Sequence, residues 1–213
     1  MTNSVSPKLV EKWLKGWSLS RGLPKPVKFL SGLRVDVGYE DQKTRYVFPD
    51  LNDDFVELSD QINESGIFLK VCADPDEVKL RISKRWTVLK TGYMMYCFHA
   101  MHFPDKSLPD GYNVEFENNH AVFIVRIVTE HNELASIGRV VLVDDLAVYD
   151  RISTENEHQR KGLATFLMKE LEKIALSKGV TRNFLVATEE GKALYESFGW
   201  ELYSLYTSIV IQD

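Results

Sequence analysis

The sequence predicts a mixed α/β (α+β) fold in which helices flank a mostly antiparallel central sheet. Three observations support this. The 213 residues are 44% hydrophobic and 27% charged, the mixture of an ordinary globular chain long enough to bury a real core. Runs rich in β-branched residues alternate with stretches whose apolar residues recur at helical spacing. The second half of the chain reads strand, strand, strand, helix, strand, helix, strand.

The elements follow in order. Ser6-Pro7 predicts a helix start, because serine caps free amides and proline at the first helical position loses no hydrogen bond. Leu9, Val10, Trp13, Leu14 and Trp17 form its apolar stripe, with Lys8, Lys12 and Lys15 elsewhere, which predicts a helix packed on its own protein. The pattern breaks over 22–26. Strands are predicted at 33–39 and 45–48, a helix over 51–62 and a strand over 67–73. Asp74-Pro75-Asp76-Glu77 starts a short helix, to about residue 84, with acidic residues where the amide dipoles are positive. Strands follow at 86–89 and 93–98. The proline-containing stretch 104–111 is the expected boundary, dividing the chain into 1–108 and 109–213.

Past that boundary, 121–128 and 134–143 are predicted to form a hairpin, and Asp144-Asp145 turns the chain into a third strand over 146–154. A helix over 163–177 carries Leu163, Phe166, Leu167, Leu171 and Ile174 on one stripe and is stopped by Lys178-Gly179. A strand over 183–187, a helix over 189–198 closed by Gly199, and a strand over 201–211 complete the prediction.

Composition also narrows function. A formal charge of -5 with interspersed signs offers no broad positive field for a phosphate backbone, so nucleic acid is not the expected partner. The first residues lack the charged and apolar regions of a secretory signal, and no apolar run reaches bilayer length, so a cytoplasmic protein with no membrane partner is expected. Cys72 and Cys97 lie in apolar strand-like stretches and are expected to be unpaired buried thiols. No nearby cysteine or carboxylate completes a ligand set with His99 and His102, so no metal is expected. No Ser-His-Asp or Cys-His order points to a hydrolase.

The segment that carries chemistry is Gln159-Arg160-Lys161-Gly162-Leu163-Ala164, between a predicted strand and an amphipathic helix. The first amides of a helix have no internal partner and the helix dipole favours an anion, so a pyrophosphate fits there. Small residues at 162 and 164 let phosphate oxygens approach those amides. The glycine-rich run with Lys-Ser/Thr and the G-x-G-x-x-G fingerprint are both missing, so nucleoside triphosphates and NAD are poor candidates.

Together with Ala193-Leu194-Tyr195-Glu196-Ser197-Phe198-Gly199-Trp200, this segment resembles the GNAT superfamily of N-acetyltransferases. The family pattern is Q/R-x-x-G-x-G/A followed by A-x-x-Y-x-x-x-G-aromatic, and the resemblance covers about 121–211. It implies acetyl-CoA as co-substrate, lying where two neighbouring strands splay apart. Ile152, Ser153 and Thr154 would bond the pantetheine arm. Gln159, Arg160, Lys161, Gly162, Leu163, Ala164 and Thr165 would form the pyrophosphate loop. Tyr195 would protonate the departing thiolate. Glu189-Glu190 stands where many relatives carry asparagine, a departure at one cofactor contact.

An alkylammonium must lose a proton before it attacks a thioester. With a solution pKa about 3 units above neutrality, the neutral amine costs roughly 4 kcal/mol to populate. A positioned general base typically contributes about 100-fold to 10,000-fold. Strand alternation predicts Val148, Asp150, Ile152 and Thr154 on one face unless a bulge intervenes, which makes Asp150 the candidate base or amine-orienting residue; a salt bridge with Arg151 or a distant arginine is the competing role. Tyr149 and Tyr203 are expected either to line the acceptor pocket or simply to pack.

The expected function is direct transfer of acetyl from acetyl-CoA to a small-molecule or peptide amine. The competing expectation is a catalytically silent acyl-CoA-binding module acting through a protein partner, favoured if Trp13 and Trp17 are exposed. A homodimer is left open. The order strand, helix, Trp86, strand over 68–96 parallels strand, helix, Trp200, strand over 184–210, so the N-terminal half reads either as a degenerate GNAT-like half or as the opening elements of one enlarged domain.

Overall fold

The computed structural model describes residues 5–105 and 107–212. Helix α1 (Pro7–Ser20) is followed by β1 (Val27–Phe29), β2 (Gly32–Asp36), β3 (Thr44–Phe48), α2 (Asp53–Gln61), β4 (Ile67–Val71), α3 (Pro75–Arg81), β5 (Thr87–Val88) and β6 (Gly92–Cys97). Then come β7 (Tyr112–Asn119), β8 (Val122–Thr129), β9 (Leu134–Val143), β10 (Leu146–Thr154), α4 (Leu163–Ser177), β11 (Arg182–Ala187), α5 (Glu189–Ser197) and β12 (Glu201–Val210). The predicted helices and strands are present, with ends shifted by a few residues. The short edge strand β1 and the strand β7 were not anticipated.

The strands form one sheet in the order β1-β2-β3-β4-β12-β6-β11-β10-β9-β8-β7, with β5 also on β12. The pairings are antiparallel except β3 with β4 and β10 with β11. Across the contact of β12 with β6 the two sides are arranged alike. On one side a parallel pair, β3 and β4, is connected through α2, with β2 and β1 added antiparallel. On the other, β10 and β11 are connected through α4, with β9 and β8 added antiparallel.

Strand β12 joins the sides. Glu201 to Tyr206 pair with β6, and Thr207 to Val210 pair with β4. Strand β6 precedes the expected boundary at 108/109, yet it is bonded to β11 and β12 from beyond it. The sheet therefore runs through that boundary.

Helices cover both faces. Ser6 accepts the Leu9 amide and Pro7 sits at the first position of α1, as the sequence requires. Its stripe buries Trp13 (3% exposed) and Trp17 (5%) with Val141, Val148 and Tyr206. The approach is close enough that a Cβ on Gly16 would lie 2.6 Å from a Val148 methyl. Helices α4 and α5 cover the opposite face of the C-terminal side, packing Leu167, Leu171 and Phe198 on Val140, Ala147 and Leu185. A third core lies under α2 and α3, around Phe48, Phe55, Leu69 and Trp86.

Candidate active site

The loop between β10 and α4 is built to leave amides unused. After a 3-10 turn (Asn156–His158), Arg160 and Gly162 adopt φ of 60° and 83°, and Gly162 becomes the N-cap of α4 with no side-chain cap. The left-handed φ explains the glycine, and an open surface above it explains why nothing larger is needed for packing. Gln159 turns inward, donating from Nε2 to Asn156 Oδ1 at 3.0 Å and to the Thr154 carbonyl at 3.3 Å, so it holds the loop's shape. Arg160, Gly162, Leu163, Ala164 and Thr165 line a cavity of about 240 Å³ with Leu194 of α5. At its side, Tyr112 Oη lies 2.8 Å from His158 Nδ1 and accepts from Lys161 Nζ at 3.2 Å. The unfilled first-turn amides and an adjacent lysine suit a phosphate group.

Strands β10 and β11 separate beside this loop. They pair only at Leu146, Ala147 and Val148 with Arg182, Asn183 and Phe184; beyond Val148 the two strands diverge, while β11 stays paired with β6 to Ala187. Divergence coincides with a bulge. Asp150 pairs with Arg139 and Ser153 with Ile137, so three steps of β10 match two of β9, and Arg151 sits at φ 53°.

The bulge corrects the expected alternation. Val148 and Asp150 face α1, whereas Ile152 packs towards α4, its Cδ1 crowding Gly138 beside Leu167 and Leu171. The Ser153 carbonyl and Thr154 Oγ1 both meet Ser136 Oγ, at 2.8 and 2.9 Å.

Tyr195 lies on the α5 side of the gap, 8% exposed, its ring 5.9 Å from that of Trp200. Burial, with the Asp150 charge adding to it, pushes the phenol up to about 12, so it carries its proton throughout the neutral range.

Asp150 lies on the α1 side. Its carboxylate accepts Ser20 Oγ at 2.7 Å, Arg21 Nε at 3.1 Å and Arg21 Nη2 at 2.9 Å. The distant arginine weighed against it in the sequence is thus Arg21, and Asp150 lines a larger cavity, about 790 Å³, that reaches the end of β11. Tyr149 borders this cavity and donates its hydroxyl to Asn183 Oδ1 at 3.1 Å. Tyr203 does not line it: a register shift in β12 turns Tyr203 to Phe184 and to the Ser6 amide, and Tyr206 takes the lining position. Glu189 and Glu190 stand at the mouth on the first turn of α5, capped by Thr188, and Glu189 accepts the Tyr93 hydroxyl.

The match to known proteins follows this geometry. The model of the acetyltransferase (GNAT) family matches residues 91–200, which include the β10–β11 gap, the loop and Tyr195. This chain belongs to the GNAT acetyltransferase family. Among solved structures, a GCN5-related N-acetyltransferase from Kribbella flavida is similar at TM-score 0.71 and 12% identity, over 99% of this chain and 96% of that one. One from Sphaerobacter thermophilus is similar at TM-score 0.60 and 9% identity, over 86% and 78%. A tandem GNAT protein from the clavulanic acid biosynthesis pathway is similar at TM-score 0.53 and 12% identity, over 74% and 68%. At these identities the likeness shows the fold. No curated protein matches by sequence.

As a GNAT protein the chain has the fold of acyl-CoA-dependent N-acetyltransferases, and its cavity wall extends well outside the matched segment. Arg21, Arg45 and Lys70 were not singled out in the sequence. A signal existed: Lys70 interrupts the apolar strand β4, and Arg45 shares a strand face with buried Val47. His99 and His102 rings lie 5.7 Å apart, and among the described residues no three His, Cys, Asp or Glu side chains are grouped as a metal site. Among the described residues no helix is long and apolar enough to cross a membrane.

Proposed function

We propose that this protein transfers an acetyl group from acetyl-CoA to a primary amine by direct attack in a ternary complex. The observation that carries this reading is the β10–β11 gap: the phosphate-type loop opens at one end of it, and Tyr195 and Asp150 flank it from opposite sides of the sheet. Gly162 to Thr165 would hold the pyrophosphate, and the backbone of Ile152 to Thr154 the pantetheine arm. The amine nitrogen bonds to the thioester carbonyl carbon, the carbon–sulfur bond breaks, and the thiolate takes the Tyr195 proton. Asp150 receives the ammonium and orients it, and accepts the proton that the amine gives up.

Exposed tryptophans would have favoured a silent module acting through a protein partner. Trp13 and Trp17 are buried against the sheet, which removes that support. Incubation with a broad amine panel and acetyl-CoA should release free CoA thiol. Tyr195→Phe should slow release about 10-fold to 100-fold without changing CoA affinity. CoA binding without turnover on any amine would sink the enzymatic reading.

We also read residues 1–108 as a degenerate GNAT-like half that exchanges its last strand with 109–213. The mirrored strand order around β12 and β6 supports this. The start of α2 is not an anion loop: Asn52 caps it by accepting the Phe55 amide, and Asp53 and Asp54 fill its first turn with negative charge. Superposition of β3 through β6 on β10 through β12 tests the reading, and mismatched helix positions would remove it.

A further inference from the structure

The wall of the larger cavity opposite β10 carries positive charge without matching negative charge. In the parallel register of β3 and β4, Val47 lies beside Lys70, and Arg45 is two residues before Val47. Across β4, Lys70 is opposite Ser208 of β12, with Tyr206 two residues earlier. Strand alternation therefore projects Arg45, Lys70, Tyr206 and Ser208 from one face, the face that α1 covers. All four border the cavity.

Their partners are neutral. Arg45 lies over the Trp17 ring, Cζ 3.7 Å from its centroid, and its Nη2 donates to Gln42 Oε1 at 3.2 Å. Its Nε is buried without a hydrogen-bond partner, as is the Tyr206 hydroxyl. Lys70 Nζ donates to Ser208 Oγ at 2.6 Å. Among the described residues no carboxylate forms an ion pair with either cation; Asp150, the inner carboxylate, bonds Arg21 and Ser20. The glutamates of the cavity, Glu189 and Glu190, are exposed at its mouth.

Charge buried in this way is costly unless an opposite charge joins it. The cost is visible in the protonation of both groups. Burial lowers the Arg45 guanidinium to about 10, with Tyr206 and Asp150 opposing the fall and Arg21 adding to it, and burial, reinforced by Arg45 and Arg21, lowers the Lys70 ammonium well below its ordinary range. A polar wall with two cationic donors and the unpartnered Arg45 Nε and Tyr206 hydroxyl favours an acceptor of hydrogen bonds. The volume, about 790 Å³, accommodates a molecule of amino-acid or small-peptide size.

We propose that the amine acceptor also carries an anionic oxygen group, of carboxylate size, seated on Arg45, Lys70 and the Tyr206 hydroxyl while its amine faces Asp150. The inference rests on the acetyl-transfer reading and deepens it by naming the substrate class. It assigns the two charges of the acceptor to different groups of one cavity: Asp150 for the ammonium, and Arg45 and Lys70 of β3 and β4 for the anion. An amine lacking the anion leaves those donors unpaired and is rejected on that ground.

The experiment pairs acceptors that differ only in the anion. Glycine, leucine, glutamate and lysine are compared with the amines lacking their α-carboxylate, dipeptides with their C-terminal amides, and phosphoethanolamine with ethanolamine. Calorimetric binding to the CoA complex and CoA thiol release are both measured, on the full chain and on its Arg45→Met and Lys70→Met variants. The anionic member of at least one pair should bind and react about 100-fold better. Either variant should erase most of that preference while CoA affinity stays unchanged, which also verifies the fold.

Equal binding of both members of every pair, binding by none, or a preference that survives both substitutions would overturn the assignment. Binding of anionic amines without thiol release would uphold the anion site and count against acetyl transfer, so the two failures read differently.

Discussion

Arg21 grips Asp150 with two nitrogens, at 3.1 and 2.9 Å, linking the last turn of α1 to the strand that borders the gap. The pair is mostly buried, 24% and 12% exposed in its side chains, and it adds a polar tie between helix and site to the apolar packing of α1. Truncation of Asp150 to alanine leaves a part-buried guanidinium without its anion. A stability loss of about 1–3 kcal/mol in denaturant unfolding is expected. Asp53→Ala, which removes an exposed partner of Arg81, should cost no more than ~0.5 kcal/mol.

Two glycines should respond for different reasons. A Cβ at Gly162 meets nothing within 4 Å, but its φ of 83° disfavours side chains. Gly162→Val should weaken CoA binding at least about 10-fold at a stability cost of roughly 1–2 kcal/mol, read by calorimetry and unfolding. Gly16→Val instead drives atoms into Val148, 2.6 Å from the first added carbon, and should destabilise the protein by about 1–3 kcal/mol or more through the α1 interface.

Tyr195 sets an alkaline signature. Its folded pKa of about 12 exceeds the unfolded value of about 10, so the unfolded chain releases this proton first as pH rises. Its contribution to stability is fully present below pH ~10 and is lost as pH climbs towards 12. Unfolding free energy should fall less steeply across that window in Tyr195→Phe than in the parent. Thiol release should show no loss from Tyr195 ionisation at pH 9.

Cys72 should be inert while the fold is intact. It is buried and unpaired, and burial, with Asp50 nearby, raises its thiol from the ordinary range to about 12. The thiolate is the reactive form, so alkylation with iodoacetamide at pH 8 should leave Cys72 unmodified by mass spectrometry. Rapid labelling of the native protein at this position would contradict the packing around β4.

Lys70 gives stability the reverse pH slope from Tyr195. Its folded pKa lies below the unfolded value, so the unfolded chain takes up a proton first as pH falls from about 10.5. The contribution is present above that pH and is lost as pH drops through the folded pKa. Lys70→Met should remove this dependence and leave the protein at least as stable at neutral pH, as measured by unfolding at several pH values.

Local pattern made much of this legible. Helix α4 was predicted with its observed ends because its stripe, the small residues before it and Lys178-Gly179 after it all act within a few residues. The loop was readable for the same reason. Strand β7 was missed because it is largely exposed and lies at the sheet edge, so it lacks an apolar signature.

Long-range pairing decided the rest. The face shown by Asp150 depended on a bulge at Arg151, a residue type that gives no warning of positive φ. The cation wall depended on β12 bringing Ser208 beside Lys70, 138 residues away. Asp150 as base and Tyr195 as acid rest on the family resemblance and on their positions around the gap, and the kinetics above test them.

The double pairing of β12 has a consequence for traffic into the protein. Backbone pairing links the strands that bear Arg45 and Lys70 to those that bear Asp150 through β12, whose last four paired residues bond β4 and whose earlier ones bond β6. A clamshell swing of two lobes would strain the pairing on both sides of β12, and the exposed residues Lys90, Thr188 and Glu189 at the rim are the expected doorway for guests. Turnover should then depend on the bulk of side chains at this doorway, not on any hinge.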